Sequence, residues 1–185
     1  MGTPISNSKI ELIKDWLGAG SINIFGVPFA GKDTQARRIG ELLEAPVIGS
    51  GDILRNHHDQ VKIKELMSTG KLFPTDFYLS VILPYLKQKG LDGKPLVLSS
   101  VGRWDGEQAA VIQASEAAGH PIKAVVFLDF DEDSVWQRFK TTHHIGDRGK
   151  RHDDAEHLID TRLEEFRTKT MPVIEYYRER GLVVD

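Results

Sequence analysis

Short apolar runs along the chain alternate with longer stretches whose apolar residues recur at helical spacing. Ile22 to Phe25, Pro46 to Ile48, Pro95 to Ser99, Ala124 to Phe130 and Leu182 to Val184 form the short runs. Their length and lack of sustained polar alternation predict strands buried on both faces. Such alternation of strands with helices predicts an α/β fold, a doubly wound, five-stranded parallel sheet. Ahead of the first run, Ile10, Ile13, Trp16 and Leu17 recur at helical spacing within Ser8 to Leu17, and Gly18, Ala19 and Gly20 end that helix. Asp153 and Glu156 have capping-box spacing and predict the start of a final helix that stops before Gly181, with Pro172 kinking or breaking it. Residues 1–21 read as an N-terminal helical extension and 22–185 as one catalytic-sized domain, since 185 residues suit one core rather than two.

Composition narrows the picture. A net charge of -3 gives no electrostatic footprint for a nucleic-acid polymer. No apolar run reaches the ~20 residues that span a bilayer, and no secretory pattern opens the chain. The 0 cysteines exclude disulfides and thiolate metal sites. The expectation is a cytoplasmic monomer without membrane or nucleic-acid partners.

The candidate chemistry follows the first strand directly. Gly26-Val27-Pro28-Phe29-Ala30-Gly31-Lys32-Asp33-Thr34 is Gly, four residues, Gly-Lys, and a helical pattern continues through Glu44. A tight turn of backbone N–H groups, a helix N-terminus behind it and a Lys that reaches the outer phosphates make a polyphosphate cradle. Gly26, Pro28, Phe29, Ala30, Gly31, Lys32, Asp33 and Thr34 are therefore the ATP-binding candidates. Asp33 stands where the general pattern has a Ser or Thr that holds magnesium, and Thr34 follows one place late.

Gly26, Pro28, Gly31, Lys32, Thr34 and Gln35, spaced as Gly-x-Pro-x-x-Gly-Lys-x-Thr-Gln, resemble the adenylate kinases and related nucleoside monophosphate kinases, and further segments recur in order. Ser50-Gly51-Asp52-Ile53-Leu54-Arg55 is similar to the acceptor motif, implying Ser50 beside the acceptor base and Arg55 on the monophosphate. Gly70 to Thr75 resembles the segment closing the acceptor-binding subdomain, with Leu72 and Phe73 bordering the base. Val101-Gly102-Arg103 takes the place of the family's Gly-Phe-Pro-Arg, implying Arg103 as a second phosphate ligand and Gln108 as base reader. Arg138, Arg151 and Arg162 resemble the lid and transfer arginines, and the last two stand 11 residues apart across Asp153-Asp154. The resemblance runs from Ile22 to Asp185 and implies an acceptor-binding insert at 51–75, a short lid at 139–152 without zinc, and transfer from ATP to a nucleoside monophosphate, AMP above all, catalysed by Lys32, Arg103, Arg151 and Arg162. A CMP or UMP acceptor, another small metabolite, and a nucleotide-binding regulator without turnover are the alternatives.

Arginines suit this chemistry because the acceptor is already anionic, so positioning and charge neutralisation dominate the barrier. Asp52 and Asp131 read as helix caps, and His143, His144, His152 and His157 match no zinc spacing. The family ends its third strand with a magnesium-associated Asp, whereas this chain has Ser99 there. A carboxylate ~4 Å from a phosphate charge is repelled by about 4 kcal/mol at an effective dielectric of ~20 unless a cation intervenes. Asp33 is therefore the expected magnesium partner. Phe29 in place of the usual loop Gly and Thr142 in place of a lid Arg are further departures.

Overall fold

Ser21–Gly26 (β1) is buried at every residue, and the rest of the molecule is arranged around it. The computed structural model describes residues 6–55, 65, 75–145 and 156–185; the side chains at 52, 53, 55, 75, 142–145 and 157 lie outside that description. Around β1 are Val47–Gly49 (β2), Leu96–Ser99 (β3), Ile122–Leu128 (β4) and Val183–Val184 (β5). The described strands form one five-stranded sheet in the order β2-β3-β1-β4-β5. Every pairing is parallel, with Asn23 of β1 opposite Leu98 on one side and Val125 on the other. The predicted strands are all present, with ends displaced by one or two residues.

Alternate side chains of β1 sort the helices into two layers. Ile22 and Ile24, with Val97, pack against Leu17 of Asn7–Leu17 (α1) and Ala36 and Leu43 of Lys32–Leu43 (α2). Phe25, with Leu96, Leu98, Val125 and Phe127, faces the opposite layer. That layer contains Thr75–Leu86 (α4), Glu107–Ala117 (α5), Glu132–Ile145 (α6), Ile159–Glu165 (α7) and Met171–Arg178 (α8); the short Ser50–Arg55 (α3) follows β2. The helix after β1 and the helix after β3 thus cover opposite faces, so the crevice beyond the carboxyl ends of β1 and β3 is a topological switch point, where ligands of open α/β sheets bind.

The expected stripe on α1 is only partly used. Leu17 is fully buried, but Ile13 is 39% and Trp16 50% exposed. Lys123 instead meets this helix end, donating to the Trp16 carbonyl at 2.7 Å. Asp52 is not a cap, because α3 already begins at Ser50. Asp131 is one: its carboxylate accepts from the Ser134 N–H at 2.7 Å and from the Ser134 hydroxyl at 3.0 Å, which holds its pKa below the usual carboxylate value.

The predicted disruption by Pro172 takes a particular form. The final helical stretch passes from a 3-10 turn, Glu156–Leu158, through α7 into a π-helical turn at Phe166–Thr170, and α8 then begins with Pro172 in its first turn. A proline ring clashes with the carbonyl four residues earlier and lacks the N–H that would bond it; widening the preceding turn relieves both problems. The predicted helix start at Asp153 lies outside the described residues. So do Leu72, Phe73 and Arg151 and most of the predicted insert and lid, although α6 continues through the lid's expected start to Ile145. No described helix is long and apolar enough to cross a membrane.

Gly40 marks where α2 lies closest to β2. A Cβ there would meet Val47 Cγ2 at 2.6 Å and the Ala45 carbonyl oxygen at 2.9 Å. A helical Gly→Ala change ordinarily stabilises by about 1 kcal/mol; Gly40→Ala is expected instead to destabilise by roughly 1–3 kcal/mol through overpacking. Urea denaturation with an unchanged m-value checks the sign.

Candidate active site

The phosphate loop begins as β1 leaves the sheet. Gly26 is required there by close packing, since a Cβ would stand 2.8 Å from the Leu128 carbonyl oxygen. The loop then turns through two left-handed residues, Phe29 (φ 62°) and Gly31 (φ 88°), before Lys32 opens α2. Such a conformation costs a non-glycine residue roughly 1–3 kcal/mol and persists only where its surroundings impose it. Here the Phe29 ring is buried edge-on against Phe139 at 5.4 Å, and the Arg162 guanidinium lies 5.7 Å from its centroid. Arg138, its guanidinium 4.0 Å from the Phe130 ring centroid, donates to the carbonyls of Ala30 at 3.0 Å and Phe29 at 3.4 Å. Lys32 folds back onto the loop, with Nζ donating to the carbonyls of Gly26 at 2.9 Å and Val27 at 2.8 Å.

A second loop leaves β3 beside the first and carries Arg103. Ser100 (φ 55°) and Gly102 (φ 68°) are both left-handed, and past the Ser100 N–H, which donates to the Ile24 carbonyl at 3.0 Å, the sheet no longer satisfies this backbone. Side chains do so instead. Asn23, fully buried in β1, donates from Nδ2 to the Val101 carbonyl at 2.7 Å and accepts the Val101 N–H at 3.3 Å. Ser50 Oγ donates to the Ser100 carbonyl at 2.9 Å, and the Gly102 N–H donates to the Tyr78 hydroxyl at 2.8 Å. Burial raises the Tyr78 pKa well above its ordinary value.

The turn after Arg103 is fixed in the same manner. Glu107 accepts the Trp104 N–H at 3.1 Å, and Gln108 Oε1 accepts the Gly106 N–H at 2.6 Å while its Nε2 donates to Asp105 at 3.1 Å. The Asp105 N–H reaches the Lys169 carbonyl, in the π turn, at 3.0 Å. Lys169 Nζ lies 4.1 Å from the Trp104 ring centroid. The wide turn that accommodates Pro172 thus braces the Arg103 loop.

Between the two loops lies a cleft of ≈ 30 Å³ bordered by Gly26, Pro28, Lys32, Arg103, Arg162 and Glu165. The Lys32 side chain that borders this cleft is the one turned onto the Gly26 and Val27 carbonyls. The expected residues Lys32, Arg103 and Arg162 converge here, and Arg138 adjoins the outer side of the phosphate loop. Ser50 and Gln108 are nearby but engaged with backbone. Thr34 is exposed on α2, and Arg55 belongs to α3 by its backbone. Asn23, Tyr78 and Glu165 are components that motif reading does not find. Glu165 pairs with Lys169 at 3.0 Å within a single helical stretch, a spacing visible in sequence but carrying no functional signal.

Asp33 and Ser99 meet: the Ser99 hydroxyl, at the end of β3, donates to Asp33 Oδ1 at 3.1 Å. One carboxylate directly after Lys32 and one hydroxyl at the end of β3 form a hard-oxygen donor set that fits magnesium, which takes few protein ligands beside substrate phosphates and waters. Among the described residues no group of three or more His, Cys, Asp or Glu could hold a metal unaided.

Sequence comparison finds relatives over most of the chain. The family model for adenylate kinase matches residues 24–182. A Streptomyces coelicolor adenylate kinase is 30% identical, with 88% of each chain covered. One from Methanococcoides burtonii is 32% identical over 89% of each chain, and one from Thermus thermophilus is 30% identical over 88% of this chain and 86% of its own.

Replacing Tyr78 by Phe would strand the buried Gly102 N–H. The expected loss is roughly 1–3 kcal/mol of stability. Because burial raises the tyrosine pKa, its contribution is fully present below pH 10.0, the ordinary value, and falls as pH rises toward the folded-state pKa. Denaturation curves on both sides of that pH should show a smaller alkaline decline for Tyr78→Phe than for the unaltered chain.

Proposed function

This chain belongs to the adenylate kinase family, and we propose that it transfers the terminal phosphoryl group of ATP to AMP, giving two ADP, in the cleft between Lys32, Arg103 and Arg162. The observation that carries the residue assignment is their convergence at one small cleft beyond the carboxyl ends of β1 and β3. An oxygen of the AMP phosphate forms the new bond to the γ-phosphorus as the bond to the β–γ bridging oxygen breaks. That oxygen leaves on ADP, and no proton need move in the step.

The backbone N–H groups of the loop through Ala30 and Gly31 cradle the donor phosphates at the N-terminus of α2. Lys32 exchanges the carbonyls of Gly26 and Val27 for phosphate oxygens, following the donor charge as it shifts. Arg103 and Arg162 neutralise the transferring group from the opposite wall, their planar forks suited to equatorial oxygens. Arg138 orients the donor from beside the loop. Asp33 and Ser99 are the residues that would hold magnesium, which would supply charge neutralisation at the donor nucleotide.

By family resemblance Arg55, Leu72 and Phe73 keep their acceptor-side roles and Arg151 its catalytic role, and the acceptor-binding insert at 51–75 and the lid at 139–152 belong to the same reading. Ser50 and Gln108 act chiefly through the backbone they hold: Gln108 must release both Gly106 and Asp105 to reach a base. This commitment favours testing the other monophosphates as acceptors. A cytoplasmic monomer is part of this reading.

Purified protein is expected to convert ATP plus AMP to ADP, with CMP, UMP and GMP as poorer acceptors. Lys32→Ala and Arg103→Ala should each lower kcat by about 100-fold or more, as loss of a charge-stabilising donor does elsewhere. Absence of turnover with every acceptor would overturn the proposal.

A further inference from the structure

A cleft that binds phosphates does so with cations, and a carboxylate in its wall competes with the ligand for the same partners. Among the described residues bordering the cleft, Glu165 is the one acid, beside Lys32, Arg103 and Arg162. Lys169 holds its carboxylate at 3.0 Å, the two side chains being only 13% and 27% exposed. Lys169 is in turn fixed at two points on the loop that carries Arg103. Its Nζ lies 4.1 Å from the Trp104 ring centroid, and its carbonyl accepts the Asp105 N–H at 3.0 Å. An exposed ion pair four residues apart on a helix ordinarily contributes little, because both side chains wander. This pair is largely withdrawn from solvent, crosses the π turn at Phe166–Thr170, and is pinned by the ring of the residue that follows Arg103. Turns of that kind inside helices occur frequently at functional sites.

We infer that Lys169 is a positioning residue for nucleotide binding: anchored on Trp104, it restrains the Glu165 carboxylate so that Arg103 and Arg162 meet phosphate oxygens rather than a protein acid. The inference rests on the kinase reading and deepens it, by naming what sets the charge the cleft offers to its nucleotides. An acid neutralised by a paired cation leaves the positive potential of the cleft intact, whereas the same acid without that cation subtracts a full charge beside the phosphates. The effect is the same on bound nucleotides and on the transferring group, because total negative charge is conserved as the phosphoryl group moves from one nucleotide to the other. Uniform effects of this sort appear in KM and leave kcat nearly unchanged. Trp104 gives the arrangement its direction: attraction of the ammonium to the indole face keeps Lys169 against the Arg103 loop, where a lone helical pair would swing into solvent.

Steady-state kinetics with ATP and AMP, together with calorimetry of ATP binding in the absence of AMP, test this on the full chain. Lys169→Met keeps an unbranched stem beside Trp104 but removes the charge. KM for both nucleotides and the ATP dissociation constant should rise about 10-fold, within the range for side chains coupled in one network, while kcat stays within about threefold. Lys169→Arg preserves both charge and ring contact and should remain within about threefold of the unaltered chain. Adding Glu165→Gln to Lys169→Met should return KM and the dissociation constant to within about threefold, since the acid that Lys169 restrains is then gone. Glu165→Gln alone should bind both nucleotides about threefold more tightly, through the released Lys169 charge. Unchanged KM in Lys169→Met, or a loss that Glu165→Gln does not reverse, would overturn the positioning role and leave the kinase reading intact. Weaker nucleotide binding by Glu165→Gln alone would do the same. Absence of turnover by the unaltered chain would overturn both.

Discussion

The site depends on one buried amide. Asn23 occupies the middle of the central strand with no exposed surface, where an apolar residue would pack without any hydrogen-bond requirement. Its two polar atoms both go to Val101, 78 positions away in sequence. That pairing ties the strand leading into the phosphate loop to the loop carrying Arg103. It also satisfies a backbone that Ser100 and Gly102 turn away from sheet geometry. Buried polar groups left unpaired are costly, so the register of the two loops is strongly specified: a shift of either one would orphan the amide and the Val101 backbone together.

The remainder of the catalytic frame extends this constraint. Ser50 and Tyr78, just before and just after the expected acceptor-binding insert, both hydrogen-bond to the Arg103 loop. The π turn before Pro172 supports the same loop from the far side through the Lys169 carbonyl. On the donor side, aromatic packing around Phe29 does comparable work, holding a bulky residue at a positive φ where glycine would be unstrained. Both loops are therefore maintained by side chains from elsewhere in the fold, and Lys32 is held against the cradle until a ligand replaces its carbonyl partners.

The fold was largely legible in sequence because its determinants are local. Buried strands are short, mostly apolar runs, and the phosphate loop is a contiguous motif between a strand and a helix; the structure moves the strand boundaries by only a residue or two. The order of arginine-bearing segments likewise located Arg103 and Arg162. What could not be read were pairings between distant residues. Asn23 sits in an apolar run with no periodic signal, and Tyr78 resembles any other buried aromatic on α4. Ser50, expected beside the acceptor base, also donates its hydroxyl to the Ser100 carbonyl, a partner that no local motif signals. Proline at 172 signalled an interruption without specifying that a wider turn would resolve it. The departures at Asp33 and Ser99 were visible singly, whereas their contact required the β1–β3 pairing.

The central claim is that the Arg103 loop is already built before nucleotides arrive and that binding mainly redirects side chains. A crystal structure of the protein with AMP, magnesium and a non-hydrolysable ATP analogue tests it most directly. The account predicts that Asn23 remains on Val101 and Tyr78 on the Gly102 N–H, while Lys32 leaves Gly26 and Val27 for the phosphates and Arg103 contacts the transferring group. A complex in which the Asn23 and Tyr78 bonds are broken and the loop is rebuilt around the acceptor would contradict it.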